Sequence, residues 1–476
     1  MKYVTQPLFV LPAMIAAGLF FGVGLCYAQQ NAGGLSDTLK KQNRNKLQDT
    51  VNQKKRPEEA YTFHFQATVV HQKHPAFHAE FNGKLGSIGG STLDNRYEQA
   101  TSITSTLFFG MRLWKGASAY FNPELSGGRG FSAVTGIAGF PNGETYKVGN
   151  VAPIPFVGRA YLQQNFRLSA GNAYQEDDLN QLAGYQPAEM LIVRAGKYSL
   201  LDFFDDNVVS HDPRSDFLNW ALMGMGAWDY PADTRGYTIA VSAEYTGPTW
   251  GALVSVSTMP TQANGPIQDR KILKAHSFTL QLERKYNLGG RVGKVKVIGY
   301  DSRYNGAYYR DLIRVIHLGD TLPVNKSTGY RAVKFGGGFN LEQDLSKDVT
   351  LGARASWNDG HAVTWAFTPI DQSYSVGVKV KGTTWSRPMD VAGLSALFNG
   401  ISGLHRDYLA AGGLDYLIGD GKLPQYSMEK ILEVFYAIRL RSVLYITPDY
   451  QFVSSPAYNP LRGPVHVFGL RVHIEY

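Results

Sequence analysis

The densest run of chemically capable side chains lies between Leu201 and Arg235, LDFFDDNVVSHDPRSDFLNWALMGMGAWDYPADTR. Asp205, Asp206, His211 and Asp212 could offer oxygen and nitrogen ligands to a metal. The Ca²⁺-binding loop pattern with its closing Glu is absent, and so is a pair of His on one helical turn. Ser210-His211-Asp212 are neighbours in sequence, but a catalytic triad is a spatial arrangement. Nowhere is there a Gly-x-Ser-x-Gly elbow or a phosphate-binding Gly-rich loop ending in Lys-Ser/Thr. The chain therefore reads as a non-enzyme with no cofactor and no metal. The segment itself reads as a long ordered loop, either external or folded inward.

A second group of capable residues is spread along the chain. Arg159, Tyr161, Gln163, Arg194, Arg354, Lys379, Arg439 and Arg471 all lie on the polar face of segments that alternate apolar and polar residues. In Ile103 to Trp114, Ile103, Leu107, Phe109, Met111 and Leu113 share one face, and Thr104, Thr106, Gly110 and Arg112 the other. Phe156 to Leu168 sets Phe156, Ala160, Leu162, Phe166 and Leu168 against Arg159, Tyr161, Gln163, Asn165 and Arg167. Tyr237 to Tyr245, Phe278 to Glu283, Lys294 to Val297, Val349 to Asn358 and Tyr374 to Lys381 behave alike. Segments of about ten alternating residues separated by Gly, Pro, Asn and Asp turns are the mark of transmembrane β-barrel strands.

A soluble sandwich also alternates. Two details favour the membrane. Tyr237, Tyr245, Trp250, Trp357 and Tyr374 sit near segment ends, as aromatic girdles do. The polar faces mix long charged residues with glycine, which suits a water-filled lumen. Val465 to Tyr476 alternates without a break and ends on an aromatic residue. Inside lipid no strand edge may stay unpaired, so this last strand must pair with the first. The expected fold is all-β: a transmembrane antiparallel barrel of about 16 strands with long extracellular loops, leaving an aqueous channel.

Composition fits that picture. Of 476 residues, 18% are charged and 51 are Gly, against roughly 25% charged and about 7% Gly in ordinary domains. The net charge of +8 is dispersed, unlike the patch a nucleic-acid binder needs. One basic cluster, Lys40 to Arg56, lies in a polar stretch mixed with acids. No nucleic-acid partner is expected.

Residues 1–28 read as a secretory signal. Lys2 precedes an apolar run, and Cys26-Tyr27-Ala28 offers a small-residue cleavage site; a retained anchor is the alternative. Cleavage there would remove the single cysteine, Cys26. Residues 29–60 read as a polar periplasmic leader and 61–476 as the outer-membrane barrel. Long connections are expected at His71–Ala100, Leu125–Pro155, Leu201–Thr234, Asp301–Gly329 and Ile401–Ser427. Met428 to Leu440 suits a strand or a short helix. Asp205, Asp206, Arg214 and Trp228 are the candidates for a constriction, should the third of these connections fold inward.

Four stretches carry a family likeness. They are LFFGMRLWKGASAYFNPELSGGRGFS (Leu107 to Ser132, with GFPNGE at Gly139 to Glu144), AGKYSLLDFFDDN running on through HDPRSDFLNWALM, GAWDYPADTRGYT (Gly226 to Thr238), and TPDYQFVSSPAYNPLRGPVHVFGLRVHIEY (Thr447 to Tyr476). The chain resembles the OprB-type carbohydrate-selective porins of bacterial outer membranes. That resemblance implies a 16-stranded barrel passing monosaccharides and small oligosaccharides by diffusion, with arginine at the narrowest point. It also implies hand-over to the barrel-assembly machinery through the C-terminal strand. Sugar solutes and outer-membrane lipid are the expected partners, and a homo-oligomer is compatible with the chain. The basic lumen faces leave open a channel for organic acids or uronates, and a non-transport barrel such as an adhesin is a third reading.

Overall fold

The computed structural model describes residues 56–80, 92–146, 151–171, 173–319 and 329–476. The signal expected at 1–28 and nearly all of the expected leader lie outside these residues. Eighteen strands are described, in chain order. The first are β1 (Tyr61–His74), β2 (Glu98–Trp114), β3 (Ala117–Gly128), β4 (Ile154–Arg167), β5 (Ala173–Gln175) and β6 (Gly184–Gln186). Then come β7 (Met190–Tyr198), β8 (Thr238–Thr246), β9 (Trp250–Thr258), β10 (His276–Leu288), β11 (Arg291–Tyr304) and β12 (Ala332–Asp344). The last are β13 (Val349–Asn358), β14 (Gln372–Gly382), β15 (Arg387–Gly400), β16 (Glu429–Arg439), β17 (Leu444–Ser454) and β18 (Val465–Glu475). All but β5 and β6 form one closed barrel in sequential order, and β5–β6 is a separate hairpin. The barrel thus has the 16 antiparallel strands expected. The ambiguous Met428 to Leu440 is strand β16.

Closure is made by β18 on β1, with Gln66 opposite Glu475 and Lys73 opposite Phe468. That seam removes the last free edge, which hydrocarbon would not tolerate. The polarity of the wall is inverted relative to a water-soluble protein. On β10, Phe278, Leu280 and Leu282 are 44%, 41% and 49% exposed, while Ser277 and Thr279 are fully buried. Apolar side chains outward and hydroxyls inward are stable only where the outer solvent is lipid. Exposed Tyr61, Trp114, Trp250 and Tyr476 ring one end, and exposed Phe335, Trp357 and Tyr374 ring the other.

Connections differ sharply between the two ends. At one end they are 115–116, 247–249, 289–290, 345–348, 383–386 and 440–443, with 168–189 the exception. At the other they are L1 (75–97), L2 (129–153), L3 (199–237), L4 (259–275), L5 (305–331), L6 (359–371), L7 (401–428) and L8 (455–464). Short turns mark the periplasmic side and long loops the extracellular side. Sequence patterning finds L1, L2, L3, L5 and L7 and misses 168–189, L4 and L6. Among the described residues three short α-helices lie in the loops: α1 (Trp220–Met223) in L3, α2 (Tyr309–His317) in L5 and α3 (Gly403–Ala410) in L7.

The buried apolar core lies inside the barrel, where loop residues meet inward side chains of the wall such as Tyr161, Ile298 and Phe435. Phe204, Phe217, Trp220 and Trp228 of L3 pack with Phe140 of L2 and Val363, Trp365 and Phe367 of L6. The inward loops therefore build a folded unit held by the wall.

Candidate functional site

L3 runs across the lumen and is fastened to one wall. From β13, Arg354 donates to the Asp205 carboxylate at 3.1 Å, to the Asp205 carbonyl at 2.9 Å, to the Ser210 carbonyl at 2.8 Å and to the Leu222 carbonyl at 3.2 Å. From β18, Arg471 donates to the carbonyls of Pro213, Asp216 and Ser215 at 2.7, 2.6 and 3.0 Å. From β16, Glu433 accepts the Leu218 and Asn219 backbone N–H groups. From β14, Lys379 pairs with Asp216 and donates to the Val208 carbonyl at 2.7 Å. From β11, Lys296 pairs with Asp206. These side chains point inward from five strands, so one largely irregular loop is gripped at many points.

The opposite wall, β2, β3, β4 and β7, meets L3 through individual side chains and leaves space beside it. Between it and the loop lies a cavity of about 1310 Å³. Strand β4 sets its levels, because alternate residues point inward. Nearest the outside, Arg235 of L3 lies over the rings of Phe156 and Tyr146, 4.3 and 5.5 Å from their centroids. Next, Arg159 meets Asp202 in a two-pronged pair at 2.7 and 2.5 Å. At this level Arg214 of L3 reaches over to Glu124 at 3.2 Å and Glu144 at 3.1 Å, and the Tyr237 hydroxyl donates to Glu124 at 3.0 Å. Below, Arg194 binds Glu244 at 2.6 Å and Gln163 at 2.9 Å, and lies 3.9 Å over Phe203. Tyr120 and Tyr161 stack at 5.0 Å beside it.

Burial opposes the charge on Arg214, but the carboxylates of Glu144 and Glu124 hold its guanidinium above its ordinary value. Burial likewise opposes ionisation of Asp206, yet Lys296 and Lys294 hold that carboxyl well below the usual range. Cations and carboxylates nearly balance in the cavity lining, with Arg159, Arg194 and Arg214 each facing an acid. Arg235 is the departure. Its guanidinium makes no ion pair among the described residues, although Asp233 is near enough to act on it through space, and its Nε is buried without a hydrogen bond.

The candidates read from the sequence therefore separate into groups. Arg159, Tyr161, Gln163, Arg194 and Arg214 line the cavity. Arg354, Lys379, Asp205 and Asp206 sit in the contact between L3 and the wall. Trp228 is 1% exposed and packs against Phe204 and Tyr230. Arg439 lies at the short-turn end, where it donates to the carbonyls of Arg441 and Ser442. Arg471 points inward but ends on L3.

Two residues placed by alternation on the lipid face are in the lumen. Phe156 lines the cavity because the register slips between Asn122 and Pro123, so that Pro123 faces Val157 and Gly158 is skipped. Proline offers no N–H to the ladder, and the bulge reverses the face of what precedes it. Gly158 also lies under the Tyr237 ring, where a Cβ would crowd it. Tyr237 is 5% exposed and belongs to the cavity, not to a girdle. It precedes β8, and the Asp233 carboxylate accepts its backbone N–H at 3.1 Å, so strand parity does not govern it. Sequence reading also passes over Glu124, Glu144, Asp202, Phe203 and Arg235. All but Glu124 are loop residues, and only the fold of L2 and L3 brings those to the strands.

Comparison with known proteins agrees with this architecture. A structure of OprB from Pseudomonas putida determined at high pH superposes with a TM-score of 0.66 at 16% identity, covering 91% of this chain and 96% of that one. Porin AaxA of Chlamydia abortus is 23% identical over 302 residues, which is 62% of this chain and 57% of that protein. Porin AaxA of Chlamydia pneumoniae is 22% identical over 306 residues, 63% and 59% of the two. The chain thus spans less than three fifths of the length of these curated relatives. The model of the carbohydrate-selective porin, OprB family, matches residues 102–476. The chain belongs to that family.

Proposed function

We propose that this chain is an outer-membrane channel for the passive diffusion of carbohydrates, from monosaccharides to small oligosaccharides. The observation that carries the reading is the cavity between L3 and the β2–β4 wall. It offers hydrogen-bonding Arg, Asp, Glu and Gln on its sides and the rings of Tyr161, Phe203, Tyr237 and Phe156 between them. A sugar exchanges its hydration for the first and lays its C–H faces on the second. Near-balanced charge keeps the path usable by neutral solutes, and several weak positions in series let them leave. Pairing of β18 with β1 fits insertion through the C-terminal strand by the barrel-assembly machinery.

Conductance in planar bilayers and swelling of loaded liposomes test the reading. Channels should form, and glucose or maltose should swell liposomes faster than organic acids of equal size. No conductance removes the reading. A second reading, a channel for anionic solutes such as uronates, is favoured by Arg235 alone. Faster swelling with acids than with neutral sugars would establish it instead.

A further inference from the structure

The connection 168–189 is the long exception at the short-turn end. It does not hang free. Glu59 N–H donates to the Ala183 carbonyl at 3.1 Å, and the Ala183 N–H returns to the Glu59 carboxylate at 2.9 Å. Arg112 of β2 donates to the same Ala183 carbonyl at 3.2 Å. Asp177 accepts from the Thr62 hydroxyl at 2.6 Å and lies 3.0 Å from His64 Nε2. Thr62 and His64 are inward-facing residues of β1, so the β5–β6 hairpin leaves β4, passes inside β3 and β2 and docks in the lumen on β1.

Its side chains are sorted. The acids Glu176, Asp177 and Asp178 are exposed and absent from the cavity lining. The lining is neutral: Gln175, Asn180, Gln181, Leu182, Tyr185 and Gln186. Gln175 donates to Gln181, and Tyr174 meets Tyr185 edge-on at 5.1 Å. The buried Oδ1 of Asn180 has no hydrogen-bond partner. A left-handed turn at Asn180, φ 53°, between the paired Asp178 and Gln181 fixes that residue. On the facing strand, Gln163 and Asn165 add further amides.

We infer that this hairpin builds a second solute position at the periplasmic exit, specific for a neutral, hydroxyl-rich molecule such as a sugar. This rests on the carbohydrate reading above and deepens it. The arginine–carboxylate levels set by L3 can engage charged and neutral solutes alike. The hairpin itself contributes only amide donors and acceptors with one aromatic face, the complement of a pyranose ring, while Arg112 beside it is engaged by Glu58 and by the Glu59 and Ala183 carbonyls.

The test is blockade of ion current by maltotriose in planar bilayers, with unblocked conductance reporting a folded channel. Asn180→Gly keeps the left-handed turn and removes the free amide. Tyr185→Ala removes the ring. Each should raise the half-blocking concentration of maltotriose by about threefold or more, as for one or two lost hydrogen bonds or a ring face. Glucuronate, which the L3 level can hold by charge, should be affected less. Half-blocking concentrations within about twofold of wild type in both variants, on the same ratio scale, overturn the exit position and leave the carbohydrate reading standing. Failure of maltotriose to block the wild-type channel overturns both.

Discussion

Arg354 and Arg471 on one wall, and Arg159 and Arg194 on the other, point inward from strands of the same alternation. The first two end on L3: Arg354 takes backbone carbonyls and Asp205, and Arg471 takes carbonyls alone. They are 4% and 1% exposed. The second two meet carboxylates at the edge of an open cavity. The difference lies in what the loop presents. Where L3 turns its backbone outward, the guanidinium satisfies carbonyls that would otherwise be stranded in a dry contact. Where L3 presents Asp202, the pair lines the cavity with its side chains 15% and 17% exposed, and its charges stay within reach of solutes.

Breaking the fastening should have the largest effect. Arg354→Ala strands Asp205 and several carbonyls, at a cost of about 3–5 kcal/mol for one broken buried pair. Its unfolding midpoint in denaturant should fall, and L3 should leave the wall, so single-channel current should rise and become noisy. Arg471→Ala should act in the same direction. Wild-type stability and current in both would end the distinction between the walls.

Breaking a cavity pair should cost less stability than unfastening L3, because it strands no row of loop carbonyls, and should change selectivity instead. Arg159→Gln should shift the reversal potential in a salt gradient toward cation preference, and Asp202→Asn toward anion preference. The double variant should return near wild type, because the charges cancel. Shifts of the same sign would show that the pair does not set the local field.

Arg235→Gln sharpens the contrast among the cavity arginines. Its guanidinium lies over two rings and makes no ion pair with a carboxylate among the described residues, Asp233 acting on it only through space, and its cation–π contacts are worth about 0.5–1 kcal/mol. Blockade by an anionic sugar should weaken by roughly two- to fivefold on that basis, and blockade by maltotriose should change less. Equal weakening of both would make Arg235 a general sugar contact.

How far these sites can be read from the sequence follows from the same contrast. Alternation places Arg159, Arg194, Arg354 and Arg471 on one side of a strand, and the count of about sixteen strands follows from the series of alternating segments and the even numbers barrels favour. Alternation says nothing of what lies across the lumen. Asp202, Glu144 and the carbonyls of L3 reach the strands only through loop folding, which has no period to read. Local breaks also hide residues: the bulge at Pro123 turns Phe156 inward, and Tyr237 lies just outside its strand. The hairpin at 168–189 escaped for a further reason. Its strands, Ala173–Gln175 and Gly184–Gln186, are too short to show alternation.

The smallest effect should come from the extracellular contact between L6 and L7, which resembles the dry wall more than the cavity wall. His405 of α3 is fully buried, 3.1 Å from Asp371 and 3.6 Å from Asp415, and stacks 4.4 Å from Tyr309 of α2. Burial raises the Asp371 carboxyl, but His405, with Lys334 and the Ser402 N–H, brings it below its ordinary value. A depressed folded-state pKa contributes stability that is present above the unfolded value of 3.8 and is lost as pH falls through the folded one. The slope for one proton is at most about 1.4 kcal/mol per pH unit. Hydrogen exchange of α3 should therefore be constant from neutral pH down to about pH 5 after correction for intrinsic rates, and should accelerate below that range. In His405→Gln burial acts on Asp371 without its chief counterweight, so the folded-state pKa rises, and the acceleration should weaken and its onset move to lower pH. An unchanged onset in that variant would assign the acid sensitivity of the loops to other carboxylates.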